Sequence, residues 1–192
     1  MGIKNWFVKR PPDEVLGSKV LVCSLGAQFD ELVQTDAEVY KRFYPSTVTA
    51  QFSTLGELTQ AIGHRYDVVH IFCNVPPSGI IVDAEHRALT GTQIIEACCA
   101  ANVKLLWVGN DNPPEGYIKN FKAQGKRINL VMTITRNGPK FSTFLDKLLS
   151  KMFAGDRLPL AWASLVPQAK GSWQEDLPGC IFFAGRGTAV LR

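Results

Sequence analysis

The chain has 192 residues, 46% of them hydrophobic and 20% charged, with a formal net charge of +4. That length suits a single domain with a large core, and so mild a charge does not describe a nucleic-acid protein. No apolar run approaches the roughly 18 residues a membrane span requires, and "MGIKNWFVKRPP" lacks both the apolar stretch of a secretory signal and, with Trp6 in sixth place, the Ser or Thr of a myristoylation site.

Residues 1–17 read as a lead-in carrying Trp6 and Phe7, and 18–192 as one domain. "SKVLVCSLG" (18–26) is a short apolar run closed by Gly26, a buried strand. Phe29, Leu32, Val33, Tyr40 and Phe43 recur at helical spacing over 29–43. "STVTAQF" (46–52) is rich in β-branched residues and predicts a second strand. A helix over 54–65 opens with Thr54 and Glu57 at capping-box spacing, and "YDVVHIF" (66–72) is the third strand. Residues 79–91 suit a short β excursion with its turn near Asp83–His86, and a helix over 90–102 opens with Thr90 and Gln93. "VKLLWVGN" (103–110) is a fourth strand, 113–125 a helix with proline at its start and glycine past its end, and "INLVMTI" (128–134) a fifth strand. The plainest helix is 139–155, where Phe141, Phe144, Leu145, Leu148, Leu149 and Met152 form one stripe and Gly155 ends it. A shorter helix over 158–169 and a last strand over 179–185 complete the chain.

Alternating strands and helices predict an α/β fold: a three-layer sandwich with a mostly parallel six-stranded sheet and helices on both faces. Ligands and chemistry in such sheets lie beyond the carboxyl ends of the strands. The residues to weigh are therefore 24–28, 73–77, 109–112 and 135–137.

Several chemistries fail there. "SLGAQF" has one glycine where a dinucleotide fingerprint needs three, "GRGT" (185–188) lacks the rest of that fingerprint, and neither a Walker A motif nor G-x-S-x-G occurs. No cofactor is expected. The five cysteines, Cys23, Cys73, Cys98, Cys99 and Cys180, are odd in number and lack C-x-x-C spacing, which reads as free thiols in a reducing cytoplasm. His64, His70 and His86 do not assemble into a zinc site with them: His70 and Cys73 stand three apart on one strand and so face opposite ways. His70 then reads as a core histidine with a satisfied hydrogen bond. The basic cluster "KNFKAQGKR" (119–127) reads as a solvated face, with phosphate binding the sharper alternative.

Tyr66-Asp67-Val68-Val69-His70-Ile71-Phe72-Cys73-Asn74-Val75 resembles the strand Y-D-hydrophobic-hydrophobic-H-F-A-C-H-G of the CHAT domain, the caspase-like family of clan CD cysteine peptidases in bacterial signalling proteins. Leu105-Leu106-Trp107-Val108-Gly109-Asn110-Asp111-Asn112 is similar to that family's next strand, L-V-V-L-S-A-C-N. "IIVDAEHRALTGTQI" (80–94) matches the hairpin the family places between them, and 141–165 its helical stretch downstream. The resemblance spans residues 18 to 187, in order; an unrelated flavodoxin-like domain would share the coarse architecture.

The resemblance implies a caspase-like fold and a Cys/His dyad, and this chain departs from it at the dyad. The family's histidine falls on Asn74, the following glycine on Val75 and the cysteine on Asp111. An amide cannot take a proton from a thiol, and a carboxylate does not replace a thiolate. The expectation is a catalytically degenerate domain that acts as a binding, scaffold or regulatory subunit with a protein partner, in bacterial defence or stress signalling. Trp6 and Phe7 are candidate partner anchors. The alternative is a hydrolase or nucleotide-processing enzyme using a polar pocket of Asn74, Asn110, Asp111 and Asn112, with Arg136 opposite and Cys73 beside it. A third reading has the chain complete the site of another protein.

Overall fold

The structure, a computed structural model, describes residues 14–15, 18–63, 66–138, 140–165, 178–185 and 190–191. Trp6, Phe7 and His64 lie outside the described residues. In chain order the strands are β1 (Glu14–Val15), β2 (Val20–Leu25), β3 (Val48–Phe52), β4 (Val68–Phe72), β5 (Ile80–Val82), β6 (Ala88–Thr90), β7 (Leu105–Val108), β8 (Asn129–Thr135), β9 (Gly179–Ala184) and β10 (Val190–Leu191). The helices are α1 (Asp30–Phe43), α2 (Leu55–Ile62), α3 (Gly91–Ala100), α4 (Pro114–Asn120), α5 (Lys140–Phe153) and α6 (Leu158–Leu165).

Six strands form the central sheet in the order β3-β2-β4-β7-β8-β9. The first five are parallel, and β9 returns antiparallel to β8 past an irregularity at Thr133/Thr135. β4 and β7 are buried at every position, as strands covered on both faces must be. Side chains alternate between two cores. Val69, Ile71 and Cys73 pack with Leu58 and Ile62 of α2, Ile94 and Cys98 of α3 and Tyr117 of α4. Val68, Phe72 and Trp107 pack under Val33 and Tyr40 of α1 and Phe141, Leu145 and Leu148 of α5. The architecture is the three-layer α/β sandwich that the alternation predicts. The six buried apolar side chains of the α5 stripe each contribute about 1.5–3 kcal/mol before entropy is counted.

Local signals set the element ends. Thr54 accepts from Glu57 N at 3.2 Å while the Glu57 carboxylate accepts from Thr54 N at 3.1 Å, so α2 starts on a complete capping box. Those backbone donors hold the Glu57 carboxyl below its usual range. β5 and β6 form a short antiparallel hairpin around the turn at Asp83–His86. Asp83 is buried there and accepts from the backbone of Glu85, Arg87 and Leu55, tying the turn to the start of α2. Burial pushes its carboxyl up, but these donors and the Arg87 guanidinium together hold it below the ordinary value. One pairing is absent from the sequence reading: β1, inside the predicted lead-in, lies parallel to β10. No helix among the described residues is long and apolar enough to cross a membrane.

Candidate functional site at the carboxyl edge of the sheet

The sheet order reverses at β2, with β3 on one side of it and β4, β7 and β8 on the other. Open parallel sheets hold ligands at the carboxyl edge beside such a reversal. The exits of β4 and β7 meet at the same edge, with β4 bordering the reversal. Gly109 N, one residue past β7, donates to Ile71 O at 2.8 Å and keeps the two strands together as they leave the sheet.

The structure brings Asn74, Asn110, Cys73, Val75 and Asn112 into one cluster. Asn110 Nδ2 donates to Asn74 Oδ1 at 3.1 Å, an exposed amide pair across the two exits. Asn112 is buried beneath it and bonded on both ends of its amide. Its Oδ1 accepts from Val75 N at 2.7 Å, and its Nδ2 reaches Cys73 O at 3.2 Å and Tyr117 Oη at 2.8 Å. Tyr117 Oη donates onward to Thr133 O at 2.9 Å. Asn112 is therefore a clamp that joins both exit loops to α4 and β8. The Val75 amide, which an oxyanion-binding loop would present to a ligand, is already taken up by Asn112.

Asp111 is exposed, and its Oδ1 accepts from Arg136 N at 2.6 Å. Asn74 and Asp111 share no hydrogen bond among the described residues. The Arg136 side chain does not line this cluster but turns into the layer beneath α1 and α5. It donates to Asp36 Oδ2 and Oδ1 at 3.0 and 2.8 Å and to Gly109 O at 2.8 Å, and lies 3.8 Å over the Phe141 ring. In the sequence Arg136 is simply a cation after a strand, and the pairing with Asp36 spans 100 positions.

Asp36 and Tyr40 are the polar residues that sequence reasoning missed. Asp36 is fully buried on the stripe of α1 shared by Val33, Ala37 and Tyr40. Its place at i+3 from Val33 and i−4 from Tyr40 was the available signal. His70 joins this cluster. Its Nδ1 lies 3.2 Å from Tyr40 Oη and its Nε2 3.4 Å from Asp36 Oδ2, with the ring stacked between Phe72 and Trp107. Burial, with the nearby Arg136 charge, holds the imidazole neutral well below its usual range. Burial also pushes the Asp36 carboxyl up, while the Arg136 guanidinium pulls it back. Gly109 makes this packing possible: a Cβ there would stand 2.1 Å from His70 Nε2.

Cys73 projects to the other face, as the three-residue spacing requires, and is fully buried. Desolvation pushes its thiol up to about 12, far from the thiolate a nucleophile needs. All five cysteines are free thiols. Among the described residues no group of three His, Cys, Asp or Glu side chains could hold a metal ion.

Comparison with known proteins finds no family model and no curated protein that matches the chain.

Proposed function

We propose that this chain is a catalytically degenerate caspase-like domain of the CHAT type, which works by binding another protein as a scaffold or regulatory subunit. The observation that carries the reading is the state of the β4 and β7 exits. Where the resemblance expects a histidine, Asn74 shares a hydrogen bond with Asn110, and where it expects a free loop amide, Val75 N is held by buried Asn112. A hydrogen-bonded amide pair supplies neither a base nor a nucleophile. Cys73 does not replace the missing thiol, because it is buried on the face opposite His70.

The β5–β6 hairpin supports the family resemblance over a plain doubly wound domain. Strand-to-helix loops in doubly wound sheets are commonly two to six residues. Here a hairpin ending in Leu89 and Thr90 stands between β4 and α3, where the resemblance expects one. The free cysteines suit a reducing cytoplasm, and bacterial defence or stress signalling is the setting the resemblance carries with it.

The hydrolase alternative would use Asp111 as a base beside Asn74. One Asp111 oxygen is held by Arg136 N, and the Arg136 guanidinium is committed to Asp36. The discriminating experiment is turnover of fluorogenic peptide, ester and phosphodiester substrates by the wild-type chain and by Asp111→Ala and Asn74→Ala. The expected result is no turnover that depends on either side chain. A wild-type turnover lost in a folded Asp111→Ala variant would overturn the reading.

A further inference from the structure

Away from the carboxyl edge, an apolar groove of ≈ 240 Å³ runs between α4, the loop after it and β9. Tyr117, Ile118 and Phe121 form one wall, and Ile181 and Phe183 the other. Ile118 is 76% exposed, more than any other large apolar side chain among the described residues. The cavity is smaller than the roughly 300–1,000 Å³ of small-molecule sites, a size that suits a protruding side chain better than a cofactor.

Two further features select the occupant. β9 is the last strand of the sheet; it pairs with β8, and among the described residues no strand pairs with its other side. Phe182 also borders the groove, yet its ring stacks on Trp162 on the opposite face. What Phe182 presents to the groove is therefore its main chain. An outer strand edge accepts an added strand, and a strand puts alternate side chains on one face. The second feature is charge. The segment that supplies the α4 wall carries Lys119, Lys122, Lys126 and Arg127 beside the groove's apolar lining, against Glu115 as its one acid over residues 114–128. Lys126 pairs with Glu96, while Lys119, Lys122 and Arg127 are exposed.

We propose that the α4–β9 groove binds an extended acidic segment of a partner protein: the segment adds as a strand to the outer edge of β9, seats an apolar side chain between Ile118 and Phe183, and turns carboxylates toward Lys119, Lys122 and Arg127. The inference supplies the partner chemistry that a binding domain needs. It concerns a surface separate from the Asn74–Asn110 edge and stands even if that edge proves catalytic.

The probe is a fluorescein-labelled peptide Thr-Glu-Thr-Phe-Thr-Glu-Thr, whose glutamates stand two residues either side of the phenylalanine and so share its strand face, titrated with the full chain and followed by anisotropy. Binding should saturate and weaken between low and physiological ionic strength. Ile118→Asp, a change at an exposed position, should weaken it about tenfold or more, with circular dichroism unchanged. Lys119→Glu with Lys122→Glu should weaken it severalfold. N-methylation of the phenylalanine or of the threonine after it removes the N–H facing one strand edge or the other, so one of the two changes should abolish binding, and a peptide with lysine for each acid should not bind. Absence of saturable binding, or binding indifferent to Ile118→Asp, overturns the proposal. So does a dimer of this chain that Ile118→Asp converts to monomer and the peptide does not disrupt, since the groove would then serve a second copy. Binding of anionic vesicles through Ile118 with no peptide binding overturns it as well.

Discussion

Replacing Arg136 by methionine probes the buried polar cluster most sharply. The guanidinium satisfies both oxygens of Asp36, a fully buried carboxylate, and also bonds Gly109 O. Removing one partner of a buried ion pair costs about 3–5 kcal/mol, because the other charge is left uncompensated. A second route gives a similar figure. Asp36 can escape by taking up a proton, and for a carboxyl with an ordinary pKa near 3.9 that costs about 4 kcal/mol at pH 7. By the same reckoning the cost is only about 1.5 kcal/mol at pH 5. In the variant the folded chain binds that proton more tightly than the unfolded chain does. Its stability deficit therefore shrinks as pH falls toward 4 and grows as pH rises. Urea unfolding followed by tryptophan fluorescence at pH 5 and pH 7 measures both numbers. The double variant Arg136→Met with Asp36→Leu should recover most of the loss, since both charges are then gone. A deficit in the single variant that is pH-independent, or a double variant that loses the sum of the single effects, would refute the account of a charge pair stabilised against burial.

Three further outcomes follow from the same contacts. Gly109→Ala should destabilise by about 1–3 kcal/mol or more, because His70 is fixed on both ring faces and cannot yield to a Cβ 2.1 Å from Nε2; an unfolding midpoint equal to wild type would show that the ring moves freely. Asn112→Ala leaves Val75 N, Cys73 O and Tyr117 Oη short of a buried partner and should cost about 1–3 kcal/mol, with faster amide exchange at Val75 as the local readout. Burial holds folded His70 neutral, so as pH falls through about 6.5 the unfolded chain takes the proton first, and stability present above that pH is lost below it. The slope is about 1.4 kcal/mol per pH unit for one proton; His70→Gln should flatten it, and an unchanged slope assigns the effect to another group.

The contrast between the two faces of β4 shows how far local reading reaches. His70 and Cys73 part company because they stand an odd number of residues apart, and pleat geometry needs no partner strand to decide that. The same holds for the α5 stripe and for the Thr54–Glu57 box, each written within a few residues and recovered in place. Asn74 and Asn110 were legible as edge residues because each stands two positions past a buried strand, and the adjacency of β4 and β7 made them neighbours. Arg136 was not legible. Its position after β8 suggested a pocket residue, but the side chain could choose between that edge and the space beneath α1 only once Asp36 had been carried there. Asn112 likewise looked like one more polar loop residue until Val75 N, Cys73 O and Tyr117 Oη converged on it.

By itself the sequence determined the six strands of the central sheet and the six helices, which face of each is apolar, and which residues follow the strands. These properties depend on periods of two and 3.6 residues and on capping chemistry, which act over a few positions. Only the tertiary structure decided the strand order, the antiparallel return of β9 with its groove against α4, the pairing of β1 with β10, and the assignment of Arg136 to Asp36. Those features join residues far apart in the chain, and a buried charge or amide takes its partner from whatever the crossovers bring within hydrogen-bond reach.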